Sequence, residues 1–338
     1  MTIKRSNTGL GRRDFLQSAG AATLALSMSH FAEAAEQPAT AVKPFRGVFP
    51  IGQTPATADG KLDLEGLEAE VKFCNRAGVA GFAWPQIASG WSTLSDTERM
   101  EGAEAIVSAG KNGKTSLVIG VQSKDGNMAT SIRYAKHAAR TGADAIIALP
   151  PEKATDAALI EYYKTIGEAT ELPLVVQTQG DMSVDLIVEM FRQIPTMKCV
   201  KDEAGDPLAR IPQIRERTRD KLAVFSGRGV RMMLEEMRLG FAGHCPTTGL
   251  ADLFQAAFNL WHSGKQRAAF DMFGRIQAFQ TIPGAGDYVL EARGIVKENT
   301  TYRRTPGMGE ERAAPLDEAK KRVIRESLDK YLKPYLRA

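Results

Sequence analysis

From Phe45 onward the sequence alternates between short apolar runs and longer amphipathic segments. Eight runs have the length and the continuous apolar character of strands that are buried on both faces. These runs are residues 47–51, 80–84, 116–121, 145–149, 174–177, 197–201, 222–226 and 241–245. The segments between them have helical spacing, as at Leu64, Leu67, Val71 and Cys74. The pattern therefore predicts a repeating strand–helix unit and a parallel sheet.

The number of strand–helix units favours a closed barrel over an open, doubly wound sheet. Eight units fit between residues 45 and 249, and no glycine-rich dinucleotide fingerprint follows the first run. Two helical segments end in Gly78 and Gly142, which suit a left-handed helix cap. We therefore predict an α/β fold, a (β/α)8 TIM barrel over residues 45–249. Residues 250–338 are predicted to form the last barrel helix and a C-terminal helical extension.

The first 34 residues have the organisation of an export signal. Arg12 and Arg13 are followed by small and apolar residues over 18–28, and residues 32–35 provide a small-residue cleavage site. The apolar run is too short to span a bilayer, and paired arginines before Phe-Leu are typical of the twin-arginine route. We expect residues 1–34 to be removed and the mature protein to be periplasmic. The alternative is a chance basic terminus before an apolar helix.

Composition and charge exclude several classes of protein. The chain has 338 residues, 43% of them hydrophobic and 25% charged, as in ordinary globular domains. Its net charge of +4 comes partly from the leader, and the other basic residues are scattered, so neither nucleic acid nor a membrane surface is an expected partner. Cys74, Cys199 and Cys245 form no C-x-x-C pair, and the four histidines lack ligand spacing. No disulfide framework or metal site is predicted.

A lysine stands at the end of the sixth predicted strand, in the sequence KCVKDEAGD over 198–206. Reactive groups of such barrels collect where the strands end, and strand alternation directs Cys199 and Lys201 to one face. Burial there disfavours the charged form of the amine, which can then condense with a ketone to a Schiff base. The alternative is a solvated turn lysine that pairs with Asp202 or Glu203.

Eight short motifs follow one another along the chain from Phe45 onward. They are FRGVFP at 45–50, AGVAG at 77–81, TLSDTER at 93–99, GADA at 142–145, LPP at 149–151, LPL at 172–174, VKD at 200–202 and SG at 226–227. In these motifs the chain resembles the dihydrodipicolinate synthase and N-acetylneuraminate lyase family of class I aldolases. The resemblance implies a Schiff-base lysine at the end of strand six, which is Lys201 here. It also implies a homo-oligomer, a tetramer or a dimer, that uses no metal or organic cofactor.

The loop after the second strand departs from this family. Where the family has Gly-Thr-Thr-Gly-Glu, which holds the carboxylate of a 2-oxo acid, this chain has Gln86-Ile87-Ala88-Ser89-Gly90. Both threonine hydroxyls are therefore absent, although backbone N–H groups can still cradle an anion. We predict that Gln86, Ala88, Ser89 and Gly90 contact the substrate.

A second departure lies at the end of strand five. The family carries a proton-relaying tyrosine at the position of Gln177, and an amide can orient a substrate but cannot act as a general acid or base. The arginine that synthases use after this strand has no counterpart in residues 180–183, and Glu152-Lys153 replace an aromatic pair. A true lysine-biosynthesis synthase is therefore disfavoured.

Other residues at strand ends are candidates to compensate. Gly227 and Arg228 follow strand seven, and Cys245 ends strand eight. Arg228 can bind an acidic group through its two-pronged donor edge, with a solvated surface position as the alternative. His244 points away from Cys245 along the strand and is more typical of a structural residue.

These observations lead to two hypotheses of function. The first is a periplasmic lyase, of retro-aldol or dehydratase type, that acts on a 2-oxo acid or related carbonyl compound through Lys201. The missing tyrosine favours the dehydratase type, because the lysine amine and a water molecule can share the proton transfers. The second is a non-catalytic binder of carbonyl acids that keeps the barrel and the lysine but lacks the proton relay.

Overall fold

The computed structural model describes residues 43–305 and 316–337, and the predicted export signal lies outside these ranges. The described chain forms ten strands, most of which end at or close to a predicted boundary. They are β1 Gly47–Val48, β2 Pro55–Ala56, β3 Gly81–Trp84, β4 Ser116–Gly120, β5 Ala145–Ala148, β6 Leu174–Gln177, β7 Met197–Asp202, β8 Ala223–Ser226, β9 Gly243–His244 and β10 Thr301–Tyr302.

Eight of these strands form one parallel sheet in the order β1-β9-β8-β7-β6-β5-β4-β3. The two ends of this order meet beyond β1, where Ile51 pairs in parallel with Ala83 and Thr247. Ala83 N donates to Pro50 O at 2.9 Å, and Gly52 N donates to Ala83 O at 3.0 Å. These contacts close the sheet, so the prediction of a (β/α)8 barrel is confirmed.

Helices follow the barrel strands and cover the outside of the sheet. They are α1 Leu64–Ala77, α2 Asp96–Gly110, α3 Met128–Thr141, α4 Asp156–Glu168, α5 Val184–Gln193, α6 Pro207–Thr218, α7 Met233–Arg238 and α8 Ala251–His262. Side chains such as Asp63, Ser95 and Asn127 accept hydrogen bonds from the first turns and fix where the helices begin. Gly78 and Gly142 are the left-handed C-caps that the sequence indicates. Three more helices follow, α9 Gln266–Gln280, α10 Ala285–Ala292 and α11 Glu318–Ser327.

Apolar side chains form two layers, one between the sheet and the helices and one inside the barrel. The inner layer consists of Phe49, Ile51, Ala83, Val118, Ala145, Ile147, Val175, Cys199 and Phe225. Because side chains alternate along a strand, the residue two positions after each of these faces the mouth of the barrel from the same wall. Lys201 therefore continues the inward face that Cys199 begins.

The segment after α10 returns to the barrel mouth. β10 pairs antiparallel with β2, and Arg303 N donates to Thr54 O at 2.9 Å. Further on, Thr305 Oγ1 donates to Ile87 O at 2.7 Å. Residues 301–305 thus cover the loop after β3, an arrangement that the helical pattern of the C-terminal region does not predict. In the described ranges no helix is both long and apolar enough to cross a bilayer.

Candidate active site

Lys201 lies at the carboxyl end of β7, between the strands that carry Gln177 and Phe225 in the same register. Its side chain is only 6% exposed, and Nζ lies 3.2 Å from Glu203 Oε1. The lysine is therefore buried rather than solvated, although it has the acidic neighbour that the alternative interpretation proposed.

The Glu203 carboxylate is the centre of a polar network in the barrel mouth. Oε2 accepts a hydrogen bond from Gln177 Nε2 at 2.6 Å, and Oε1 accepts one from Arg228 N at 3.1 Å. The same carboxylate thus joins the ends of β6 and β8 to Lys201 on β7. Sequence reasoning considered Glu203 only as a partner for a solvated lysine and missed this position.

The backbone around Glu203 is held by a second set of buried polar groups. Thr178 Oγ1 accepts hydrogen bonds from Glu203 N at 2.8 Å and Ala204 N at 3.0 Å, and it donates to Asp202 Oδ1 at 2.7 Å. Asp202 in turn receives two hydrogen bonds from Arg210, at 2.8 and 3.0 Å. A carboxylate on such a fixed turn is preorganised, because little side-chain or backbone freedom remains to be lost.

Gly227 provides the space that this arrangement needs. A Cβ at this position would lie 1.8 Å from Glu203 Oε1 and 2.9 Å from Lys201 Cε. Close approach of the Glu203 carboxylate is therefore an observed reason for glycine at this position. The predicted substrate-binding residue therefore has at least one structural role, which is to let Glu203 reach Lys201.

Arg228 follows in a strained turn. Its φ of 46°, with 71° at Gly229 and 55° at Val230, places three successive residues in the left-handed region. Such strain at a β-branched residue is unusual and is found mostly at functional sites. The side chain donates from Nε to Glu203 O at 2.9 Å and from Nη1 to Gly205 O at 2.8 Å. Arg228 thus braces the β7 turn, and binding of an acidic substrate group by its remaining donors stays a prediction.

Cys245 packs against the inner layer close to Lys201. Burial raises the pKa of its thiol to about 12, and the Lys201 charge only partly offsets this effect. Burial also raises the pKa of Cys199 well above its ordinary value. Both thiols are therefore neutral at physiological pH and are poor nucleophiles.

His244 lies on the other side of the sheet. It is fully buried between Phe241 and Phe258, with ring centroids 6.0 and 6.3 Å away, and its Nε2 is 3.1 Å from Glu236 Oε2. This position between sheet and helices separates it from the barrel mouth, in agreement with the structural interpretation. In the described ranges no group of three or more His, Cys, Asp or Glu side chains is arranged to hold a metal ion.

The loop after β3 turns its polar side chains inward. Ser89 Oγ accepts from Gln86 N at 3.0 Å and donates to Gly52 O at 2.6 Å. Gln86 Nε2 donates to Pro85 O at 2.9 Å. Gly90 packs against the backbone of Arg303, 2.8 Å from where its Cβ would stand. Gln86, Ser89 and Gly90 were predicted to contact the substrate, and in the structure they stabilise the loop. The hydrogen bonds of Gln86 and Ser89 direct their side-chain donors to backbone carbonyl groups and not to the barrel mouth.

Two backbone N–H groups of this loop make no hydrogen bond within the described residues. The N–H groups of Ser89 and Gly90 donate within the turn, to Gln86 O and Ile87 O. Those of Ile87 and Ala88 have no acceptor within residues 43–305 and 316–337. β3 and β7 are separated by three strands in either direction, so this loop and Lys201 occupy opposite walls of the barrel. Adjacent free N–H groups at the start of a helical turn can bind an anion.

Similarity to known proteins agrees with this geometry. The model of the Dihydrodipicolinate synthetase family matches residues 44–280. The 4-hydroxy-tetrahydrodipicolinate synthase of Methanosarcina mazei is 31% identical over 191 residues, which are 54% of this chain and 63% of that protein. The matched region thus spans less than two thirds of that relative's length.

Solved structures share the fold at lower identity. N-acetylneuraminate lyase from Mycoplasma synoviae has a TM-score of 0.73 and 21% identity, over 86% of this chain and 99% of that one. A prophage protein of the dihydrodipicolinic acid synthase family from E. coli K12, solved in complex with pyruvate, has a TM-score of 0.70 and 21% identity, over 84% and 98%. Because the family model covers more than half of the sequence, the chain belongs to the dihydrodipicolinate synthetase family.

Proposed function

We propose that this protein is a Schiff-base lyase that acts on a 2-oxo acid or a related carbonyl compound. The observation that carries the proposal is the buried amine of Lys201, which lies at the carboxyl end of a barrel strand, 3.2 Å from a carboxylate. The family match supports it, as does the pyruvate bound to the related E. coli protein.

The chemistry needs a neutral amine and an electron sink. Lys201 Nζ attacks the carbonyl carbon to form a C–N bond, and the carbonyl oxygen leaves as water to give a protonated imine. This imine then accepts the electron pair of a bond that breaks beside the former carbonyl carbon. We assign the substrate's carboxylate to the N–H groups of Ile87 and Ala88 on the opposite wall, which have no acceptor in the described residues.

The type of lyase is a finer proposal. Gln177 stands where a proton-relaying tyrosine would be, and residues 180–183 contain no arginine to hold a second carboxylate. These differences support a dehydratase or a retro-aldol lyase over a synthase of lysine biosynthesis. Dehydration is favoured, because the Lys201 amine and a water molecule can share the proton transfers, including the proton that the departing hydroxyl needs to leave as water.

Trapping with borohydride tests the proposal directly. Incubation of the wild-type protein with a panel of 2-oxo acids and borohydride is expected to give a covalent adduct, seen by intact mass, with turnover of the same compounds measured in parallel. Lys201→Ala should give no adduct, whereas the matched variant Lys198→Ala should behave as wild type. Lys198 lies on the same strand but is exposed and bonded to Pro195 O. An adduct that forms equally in Lys201→Ala would refute the assignment.

A non-catalytic binder of carbonyl acids is the second candidate, and Gln177 favours it. An amide cannot exchange protons at ordinary pH, so a protein with this residue in the relay position can retain condensation without turnover. Adduct formation with every compound of the panel, but no product from any of them, would support the binder.

We also propose that the twin-arginine leader exports the protein to the periplasm and that the mature chain is a homo-oligomer. The sequence of residues 1–34 supports the first statement and the family resemblance supports the second. Replacement of Arg12 and Arg13 by lysine should retain the protein in the cytoplasmic fraction. Light scattering of the mature chain measures the oligomer, and a monomer mass would contradict it.

A further inference from the structure

We propose that Glu203 is the proton-transfer group of this site and that Gln177 positions it. The proposal rests on the proposed Schiff-base function of Lys201, and it assigns to a carboxylate the task that the family gives to a tyrosine. The proton-transfer group then lies on the turn after β7 instead of at the end of β6. Gln177, which replaces the tyrosine, contacts it directly, with Nε2 2.6 Å from Glu203 Oε2.

Position is the first argument. Glu203 Oε1 lies 3.2 Å from Lys201 Nζ, within reach of a direct proton transfer. Within the described residues, it is the one ionisable side chain that an ion pair or hydrogen bond joins to that amine. Cys245 is neutral because burial raises its pKa to about 12, and His244 is on the far side of the sheet.

The orientation of Gln177 is the second argument. The amide must direct Nε2 to the carboxylate, because an amide oxygen at 2.6 Å from Glu203 Oε2 would be repelled. Gln177 is fully buried and its Oε1 has no hydrogen-bond partner in the described structure. A buried acceptor without a partner is costly, so a hydroxyl on the bound substrate or on the carbinolamine is the group that Oε1 should accept from.

The third argument is that the site is constructed around the carboxylate. Gly227 leaves the space that Glu203 occupies, and a Cβ there would overlap Oε1 at 1.8 Å. Arg228 N donates to Oε1 from a strained turn, and Thr178 fixes the Glu203 backbone N–H. An ion pair that only neutralised a lysine would need none of these constraints.

The proton transfers balance with Glu203 alone. The carboxylate takes a proton from the Lys201 ammonium, the neutral amine attacks the carbonyl carbon, and Glu203 returns that proton to the resulting alkoxide. It then takes a second proton from the nitrogen and gives it to the hydroxyl. The hydroxyl departs as water with its bonding pair, and the nitrogen lone pair forms the protonated imine. Glu203 ends as the carboxylate from which it began.

Timed borohydride quenching of Glu203→Gln tests this assignment. The variant keeps Lys201 and the shape of residue 203, so the adduct should still form. Its rate of formation should fall roughly 10²–10³-fold, as expected when a general acid–base group is lost. The acid limb of the pH–rate profile, which reports protonation of the base, should disappear as well. The control is Glu216→Gln, an exposed acid on α6 that should match wild type.

Chemical rescue separates catalysis from a structural role. Glu203→Ala leaves room for a small acid, so added formate should restore part of the rate of adduct formation, while acetamide, which cannot exchange a proton, should not. Rates within about threefold of wild type in Glu203→Gln, with the pH profile unchanged, would overturn the proposal. If the wild-type protein itself gives no adduct, the proposed Schiff-base function is wrong. That outcome differs from slow adduct formation in Glu203→Gln, which concerns only the role of Glu203.

Discussion

The two opposite walls of the barrel mouth are built in different ways. The lysine wall is formed by Gln177, Lys201, Glu203 and Gly227. Its three side chains contact one another at the ends of β6 and β7, in space that Gly227 leaves after β8. The loop wall, formed by residues 86–90, turns the side chains of Gln86 and Ser89 into the protein and leaves backbone N–H groups at its start. One wall is therefore sensitive to side-chain chemistry, and the other depends mainly on backbone geometry.

This difference bears on the proposed function, because the chain lacks the family's recognisable side chains at both walls. On the loop wall the threonine hydroxyls are absent, but N–H groups are present in any residue except proline. On the lysine wall the tyrosine is absent, and Glu203 occupies the space beside the amine. Substitutions at the lysine wall should therefore reduce rates, whereas changes to the loop wall should weaken binding.

The largest effect is expected from Gly227→Ala on the lysine wall. The added methyl group would overlap Glu203 Oε1 and crowd Lys201 Cε, so both groups must move. Misplacement of one reacting group by 1 Å lowers the rate on the order of 100-fold, so we expect kcat/KM to fall at least about 100-fold. Steady-state kinetics with any substrate of the trapping panel measure this, and a circular dichroism melt checks the fold.

Gly274→Ala is the matched control for this change. Gly274 lies in α9, and a Cβ there would have no atom within 4 Å. Alanine also favours a helix over glycine, so this variant should be fully active and slightly more stable. Equal activities of the two variants would show that Glu203 and Lys201 tolerate displacement, which would break the contrast between the walls.

The next prediction concerns the pH dependence of stability that Glu70, a buried carboxyl group beneath the loop wall, should cause. Glu70 on α1 is fully buried and accepts from Gln53 N at 3.1 Å, one residue before Thr54, whose hydroxyl donates to Ser89 O. Burial raises the pKa of Glu70 from 4.5 to about 7, although bonds from Thr248 and Gln53 oppose the shift. The folded state therefore holds this proton more tightly than the unfolded state does. The free energy of unfolding should fall as the pH rises from 4.5 to about 7, by roughly 3 kcal/mol.

Urea unfolding at several pH values measures this slope. Glu70→Gln cannot ionise, so its stability should be flatter over this window, while Glu101→Gln, an exposed position on α2, should keep the wild-type slope. Parallel curves for wild type and Glu70→Gln would show that Glu70 keeps an ordinary carboxyl equilibrium and does not link the support of the loop wall to pH.

The sequence alone predicts the barrel and the position of Lys201, because both depend on local periodicity. Continuous apolar runs report burial on both faces of a strand, and alternation from Cys199 fixes the inward direction of Lys201. The predicted ends are less accurate at the first and last strands, where runs 47–51 and 241–245 contain β1 Gly47–Val48 and β9 Gly243–His244.

The network around the lysine depends on long-range contacts that no local pattern reports. The contact between Gln177 and Glu203 requires the register in which Gln177 pairs with Lys201, and register is set by packing across strands. Ser89 turns inward because Gly52 O accepts its hydroxyl from a loop 37 residues earlier. The covering of this loop by residues 301–305 likewise joins distant parts of the chain.

The smallest predicted effect tests the loop wall by removal of a single N–H group. Ile87 is the first residue of a short helical turn, and its N–H has no acceptor in the described chain. Proline suits this position, since Gln86 before it is extended, with φ of −132° and ψ of −171°. Ile87→Pro should therefore keep its stability and raise KM for a 2-oxo acid about 10-fold with little change in kcat, because one hydrogen bond to a carboxylate is lost.

The control Ile87→Val retains the N–H and should keep the wild-type KM. An unchanged KM in Ile87→Pro would mean that other groups bind the substrate's carboxylate. Binding could then not be assigned to the loop wall and chemistry to the lysine wall.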